Sequence, residues 1–80
     1  MERYTINQHI RKHLKISGTE MAKRVEVTKQ TISNYELGRC SSRPLERVIE
    51  MELEEAINKC EDELIKELCN YLKLKRDGKL

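Results

Sequence analysis

Between Ser17 and Gly38 two short helical patterns are separated by a turn of only a few residues, and that spacing constrains the whole chain. Ser17 followed three residues later by Glu20 is a capping-box signature, so a helix opens at Gly18 and runs to about Val25. Glu26 and Val27 make the turn. Thr28 is a good N-cap for a second helix from Lys29 to about Leu37, and Gly38 stands where a helix end takes glycine. Isolated helices shorter than about 12–15 residues are marginal in water. These two therefore form only if their apolar sides are pressed together: Met21, Ala22 and Val25 from the first, Ile32 and Tyr35 from the second. Ala22 is small enough for a close crossing, and Val27 plugs the turn from beneath.

A pair of that kind needs further helices to cover it. Upstream, Thr5 or Asn7 caps a helix running to about Lys15, with Ile6, Ile10 and Leu14 as its buried stripe. Downstream, the basic loop Arg39–Arg43 ends at Pro44, a residue suited to the first helical turn. From Leu45 almost to Arg76 the apolar spacing is helical. A heptad is not sustained, because aligning Ile49, Leu53, Ala56 and Cys60 puts Glu63 and Glu67 in the seam. Asn58 followed by Glu61 offers a fresh cap, so two helices of about 45–57 and 59–75 are predicted in place of one of about 48 Å. The last residues fray. No segment shows strand alternation. The expected fold is all-α: one domain over 1–80, about five helices, a central motif at 17–38 and an acidic helical part at 45–76.

Eighty residues bury only about 60% of their unfolded surface, so a partner chain is expected to add stability. Cys40, Cys60 and Cys69 are too few and too irregular for a disulfide framework or a Cys-x-x-Cys metal pair, which suits a reducing cytoplasm. The stretch Met1–Ile16 is polar and charged, unlike a signal peptide, and no apolar run reaches membrane-spanning length.

Charge is split along the chain. Residues 1–43 carry a net +5 and residues 44–80 a net −3. The basic half suits a phosphate backbone and the acidic half should point away from one. Within the basic half, Lys29, Gln30, Ser33 and Asn34 lie on the outward side of the second short helix. Alone, such a face is an ordinary solvated surface. Beside a close-packed helix pair it has the residue types that read base edges: Gln and Asn bond adenine in pairs, and Lys reaches guanine acceptors or a phosphate. Arg39 and Arg43 follow and suit phosphates, as does Thr28. The backbone N–H groups at Gly18 form another anion-holding position.

With these residues the chain resembles the lambda-repressor-like, Cro-type helix-turn-helix family over roughly Ile10–Leu45. Ala22, Val27, Ile32 and Tyr35 occupy its structural positions, and Thr28–Gly38 is similar to its recognition helix and closing glycine. The resemblance implies an ion pair between Arg11 and Glu36, tying the first helix to the recognition helix. It also implies double-stranded DNA as partner, bound by a dimer on a palindromic operator, and a small phage or bacterial transcriptional repressor as function. Three positions depart from the family: Glu26 where glycine is usual, Gly18 where a phosphate-gripping glutamine is common, and Asn7 where an apolar residue is common.

The rest is expected to be structural. His9 and His13 share a helix face but lack a third ligand, so no metal is expected, and no cofactor. Cys40 is expected to be a passive small residue, and Cys60 and Cys69 core-edge residues. No nucleophile, carboxylate pair or phosphate-cradling loop suggests an enzyme. The apolar face bearing Leu64, Ile65, Leu68 and Leu72 is more than a domain of this family needs, and homodimerisation through the last helix is expected. The alternative is an antitoxin or phage co-regulator whose acidic helices hold a partner protein.

Overall fold

The computed structural model describes residues 2–80, and all of its regular structure is helical. Five helices follow one another: α1 (Arg3–His13), α2 (Gly18–Arg24), α3 (Lys29–Glu36), α4 (Arg43–Lys59) and α5 (Glu63–Arg76). α1 is the hub. It packs against α3, α4 and α5, while α2 packs on α3. The core draws Ile6 and Ile10 from α1, Met21 and Ala22 from α2, Ile32 and Tyr35 from α3, Ile49, Leu53 and Ile57 from α4, and Cys69 from α5.

Four helices begin on a side-chain cap. Ser17 accepts from the Glu20 N–H, Thr28 from Thr31, Ser42 from Leu45, and Asp62 from both Leu64 and Ile65. Each such cap contributes about 1 kcal/mol. The capping box at Ser17 is only half formed, because the Glu20 carboxylate turns to Arg24 instead. Two expected caps are corrected. α1 starts at Arg3 behind Glu2 with no side-chain cap, so neither Thr5 nor Asn7 plays that part; Asn7 is inside the helix and buried. The break before α5 falls at Cys60–Asp62, not at Asn58, because Asp62 reaches two free N–H groups of the next turn.

Helix ends explain how non-glycine residues occupy left-handed positions. α1 and α2 both close with a bond from the second residue past the cap, Ile16 to the Arg11 carbonyl and Val27 to the Ala22 carbonyl. The residues between, Lys15 and Glu26, have φ of 59° and 58°. Ile16 is buried and Val27 packs against the core, and that apolar contact holds each closure despite the strain. α3 ends the same way on Gly38, at φ 76°. There the missing side chain also makes room for Tyr4: a Cβ would meet the Cζ and hydroxyl end of its ring at 2.7 Å, and the ring would have to shift.

The apolar face expected on α5 divides in two. Ile65 and Leu72 pack against the core with the fully buried Cys69, whereas Leu64 and Leu68 are exposed and Tyr71 joins them outside. Cys69 is thus a core residue, and burial pushes its thiol above the ordinary range. Among the described residues no helix is long and apolar enough to cross a membrane, and no group of acidic, histidine and cysteine side chains could hold a metal ion.

Candidate nucleic-acid interface

α3 has two turns, and eight residues span about 12 Å, close to the width of a B-DNA major groove. Ile32 and Tyr35 are buried beneath it. Lys29 and Gln30 are exposed, and Ser33 and Asn34 are half-buried on the outward side. Gln30 Nε2 donates to Asn34 Oδ1 at 3.1 Å, so the two amides lie together on successive turns. Leu37, seven residues after Gln30, extends the same face and is 59% exposed. The sequence reading passed over it, although the register of Ile32 and Tyr35 already left position 37 outside.

The flanks of this face are open. Thr28 is exposed, but its hydroxyl is engaged by the Thr31 N–H at 3.1 Å and the Thr31 hydroxyl at 2.8 Å. Arg39 and Arg43 are exposed and, among the described residues, neither forms an ion pair. Arg43 is the first residue of α4, and Arg47 follows one turn later, also exposed. Gly18 opens α2 with nothing within 4 Å of where a side chain would begin. His9 is half-buried and His13 exposed on α1.

What holds α3 in place is polar as well as apolar. Arg11 Nε and Nη2 donate to the two Glu36 carboxylate oxygens at 2.7 and 3.0 Å, and Nη1 donates to the Ile16 carbonyl at 2.7 Å. The two side chains are 11% and 12% exposed. One residue earlier, the Tyr35 hydroxyl donates to Glu46 at 2.6 Å and accepts from Asn7 Nδ2 at 2.9 Å. Burial, and then the Glu46 carboxylate, push the Tyr35 phenol far above its ordinary range. Tyr4 meets the Tyr35 ring edge-on at 6.4 Å. Asn7, 1% exposed, also bonds Glu50 and Arg76, each at 2.9 Å. Sequence reasoning missed this cluster. Its one visible signal was Asn7 itself, a polar residue beside Ile6 on a buried stripe.

A family model described as helix-turn-helix matches residues 8–50. No curated protein and no solved structure matches the chain.

Proposed function

The chain belongs to the lambda-repressor-like helix-turn-helix family, a family of sequence-specific DNA-binding regulators, and we propose that it acts as a small repressor of phage or bacterial origin. In this reading α3 enters the major groove. Lys29, Gln30, Ser33 and Asn34 read base edges, and Leu37 adds an apolar contact for a thymine methyl. Thr28, Arg39 and Arg43 grip the phosphates beside the groove, next to the Gly18 backbone, and set the register. The observation that carries the proposal is the outward face of α3, with two amides on successive turns and two exposed arginines just beyond it.

The second half of the proposal is a homodimer on a palindromic operator in the cytoplasm, with half-sites about 34 Å apart. Leu64, Leu68 and Tyr71 lie four and three residues apart on α5 and are 78%, 39% and 51% exposed, which makes one outward stripe. Glu63 and Glu67 border that stripe and also suit a basic protein partner, which is the antitoxin or co-regulator reading.

Selection of bound duplexes from a random library tests the first half, followed by titration of variants. Gln30→Ala and Asn34→Ala should lose preference for the selected duplex while keeping non-specific binding. Arg43→Ala should weaken both and flatten the salt slope. Identical behaviour of both kinds of variant on selected and random DNA would overturn the assignment of α3. Sedimentation equilibrium tests the second half: a monomer at tens of micromolar, with and without DNA, would refute the dimer, and recovery of one specific basic protein would favour the partner reading.

A further inference from the structure

We propose that Arg76, in the last turn of α5, is a positioning residue for the α3 face, acting through Asn7 and Tyr35; this rests on α3 being the DNA-reading element. Arg76 Nη1 donates to Asn7 Oδ1 at 2.9 Å, Asn7 Nδ2 donates to the Tyr35 hydroxyl at 2.9 Å, and that hydroxyl donates to Glu46 at 2.6 Å. The direction of the chain is dictated by its ends. Guanidinium only donates and carboxylate only accepts. Tyr35 must therefore give its proton to Glu46, Asn7 must offer its amide N–H to Tyr35, and its carbonyl is left for Arg76. No other common side chain of that size supplies an acceptor and a donor at those two points. Neither Asn7 nor Arg76 lies within the residues matched by the family model.

The ends of the relay are themselves fixed. The Arg76 side chain is only 5% exposed; its Nε lies 3.1 Å from Asp77 and 3.8 Å from Glu50. Arg3 clamps the far side, bonding Glu50 at 2.8 and 2.9 Å, Asp77 at 3.2 Å and the Arg76 carbonyl at 3.3 Å. No buried side-chain nitrogen or oxygen among the described residues lacks a partner. A fully satisfied network of this kind admits one arrangement and resists rotation.

The consequence falls on α3 because it is short. Tyr35 and Glu36 are neighbours about 100° apart around the helix, and each is held from α1, one by Asn7 and the other by Arg11. Two anchors at different angles on one turn fix the roll of the helix as well as its depth. Binding constellations need their side chains within about 0.5 Å and 10–20° of the productive geometry. Releasing Arg76 leaves Asn7 Oδ1 without a partner and the amide held only through Nδ2, which Tyr35 and Glu50 share at 2.9 Å each; that loosens one anchor and lets the Gln30–Asn34 face roll about the other.

The test compares full-length wild type, Arg76→Met and Arg76→Lys, each confirmed as folded by circular dichroism at the assay temperature. The DNA probes are the duplex that wild type selects from a random library and a scrambled duplex of the same composition. Arg76→Met should lower the selected-to-scrambled affinity ratio about tenfold, the loss of one poorly seated base contact, with scrambled-duplex affinity nearly unchanged. Amide resonances of Lys29–Glu36 should shift in the free protein, and Arg76→Lys should recover part of both effects. An unchanged ratio and unmoved α3 resonances in folded Arg76→Met would overturn the proposal. Should Arg76→Met not fold, Tyr35→Phe, which removes a single oxygen, decides by the same two readouts and limits. If wild type selects no duplex, the DNA reading of α3 fails, and the link from α5 to α3 stands or falls on the resonances alone.

Discussion

Arg11→Met is the substitution whose cost the geometry bounds best. The arginine meets Glu36 with two short parallel bonds and holds the Ile16 carbonyl with a third. With about nine-tenths of both side chains out of solvent, the pair belongs to the buried regime. Removing one partner there costs about 3–5 kcal/mol, because the remaining charge is left buried and unpaired. An 80-residue chain holds roughly 4–12 kcal/mol in all, at about 0.05–0.15 kcal/mol per residue. The variant should therefore be near the edge of folding, with its thermal midpoint lowered by more than about 12 °C. Arg11→Met combined with Glu36→Leu should regain most of that loss, since replacing both partners by apolar groups is often close to neutral. Urea unfolding of the four proteins of the cycle measures the coupling directly. A cost for Arg11→Met below about 1 kcal/mol, with no recovery in the double variant, is the behaviour of a solvent-screened pair. It would refute the claim that this ion pair locks α1 to α3.

Three further outcomes are expected. Glu26 is strained at φ 58°, and a left-handed non-glycine residue costs about 1–2 kcal/mol; Glu26→Gly should raise the thermal midpoint by a few degrees after the entropy glycine adds to the unfolded chain is subtracted. Gly38→Ala should do the opposite and lower it by at least a few degrees, because the added methyl sits on a left-handed backbone and must also displace the end of the Tyr4 ring, 2.7 Å away. Tyr35 has its folded pKa raised, so its contribution to stability is complete below the unfolded tyrosine value of about 10 and is lost as pH climbs through the folded value. Alkaline titration followed by tyrosinate absorbance should show a late step that coincides with unfolding and is missing in Tyr35→Phe; a Tyr35 step near pH 10 in the native protein would contradict its burial together with its bond to Glu46.

The helix pair was legible because its signals are local. Ser17, Thr28 and Gly38 act within three residues of themselves, and each is where a terminus needs it. The Arg11–Glu36 contact spans 25 positions and became visible only through the resemblance, which supplies a register that no local rule contains. The cap at Asp62 was missed for a subtler reason. Asn58 and Asp62 are both acceptable caps by residue type; α4 runs on past Ile57 to Lys59, and it is Asp62 that accepts from the two N–H groups of the next turn. The division of the α5 stripe depends on how far the helix rolls toward α1, a quantity absent from its own spacing.

Asn7 shows how a departure from pattern should be read. In the apolar register of α1 it is a fault, since an unpaired buried amide costs about 1–3 kcal/mol. In three dimensions it is the side chain on which Tyr35 of α3, Glu50 of α4 and Arg76 of α5 converge. An apolar residue there would pack equally well against Ile6 and Ile10 but would leave the Tyr35 hydroxyl and the Arg76 guanidinium each short of a partner. The cost of desolvating one amide is thus offset only if all three neighbours stay in register, so the position converts a misplacement of any of these helices into a broken hydrogen bond. Apolar packing resists displacement as well, but it is non-directional and marks the same misplacement less sharply than a hydrogen bond does. For a chain whose α3 is only two turns long, placing the polar position under Tyr35 puts the demand for register where the proposed function needs it most.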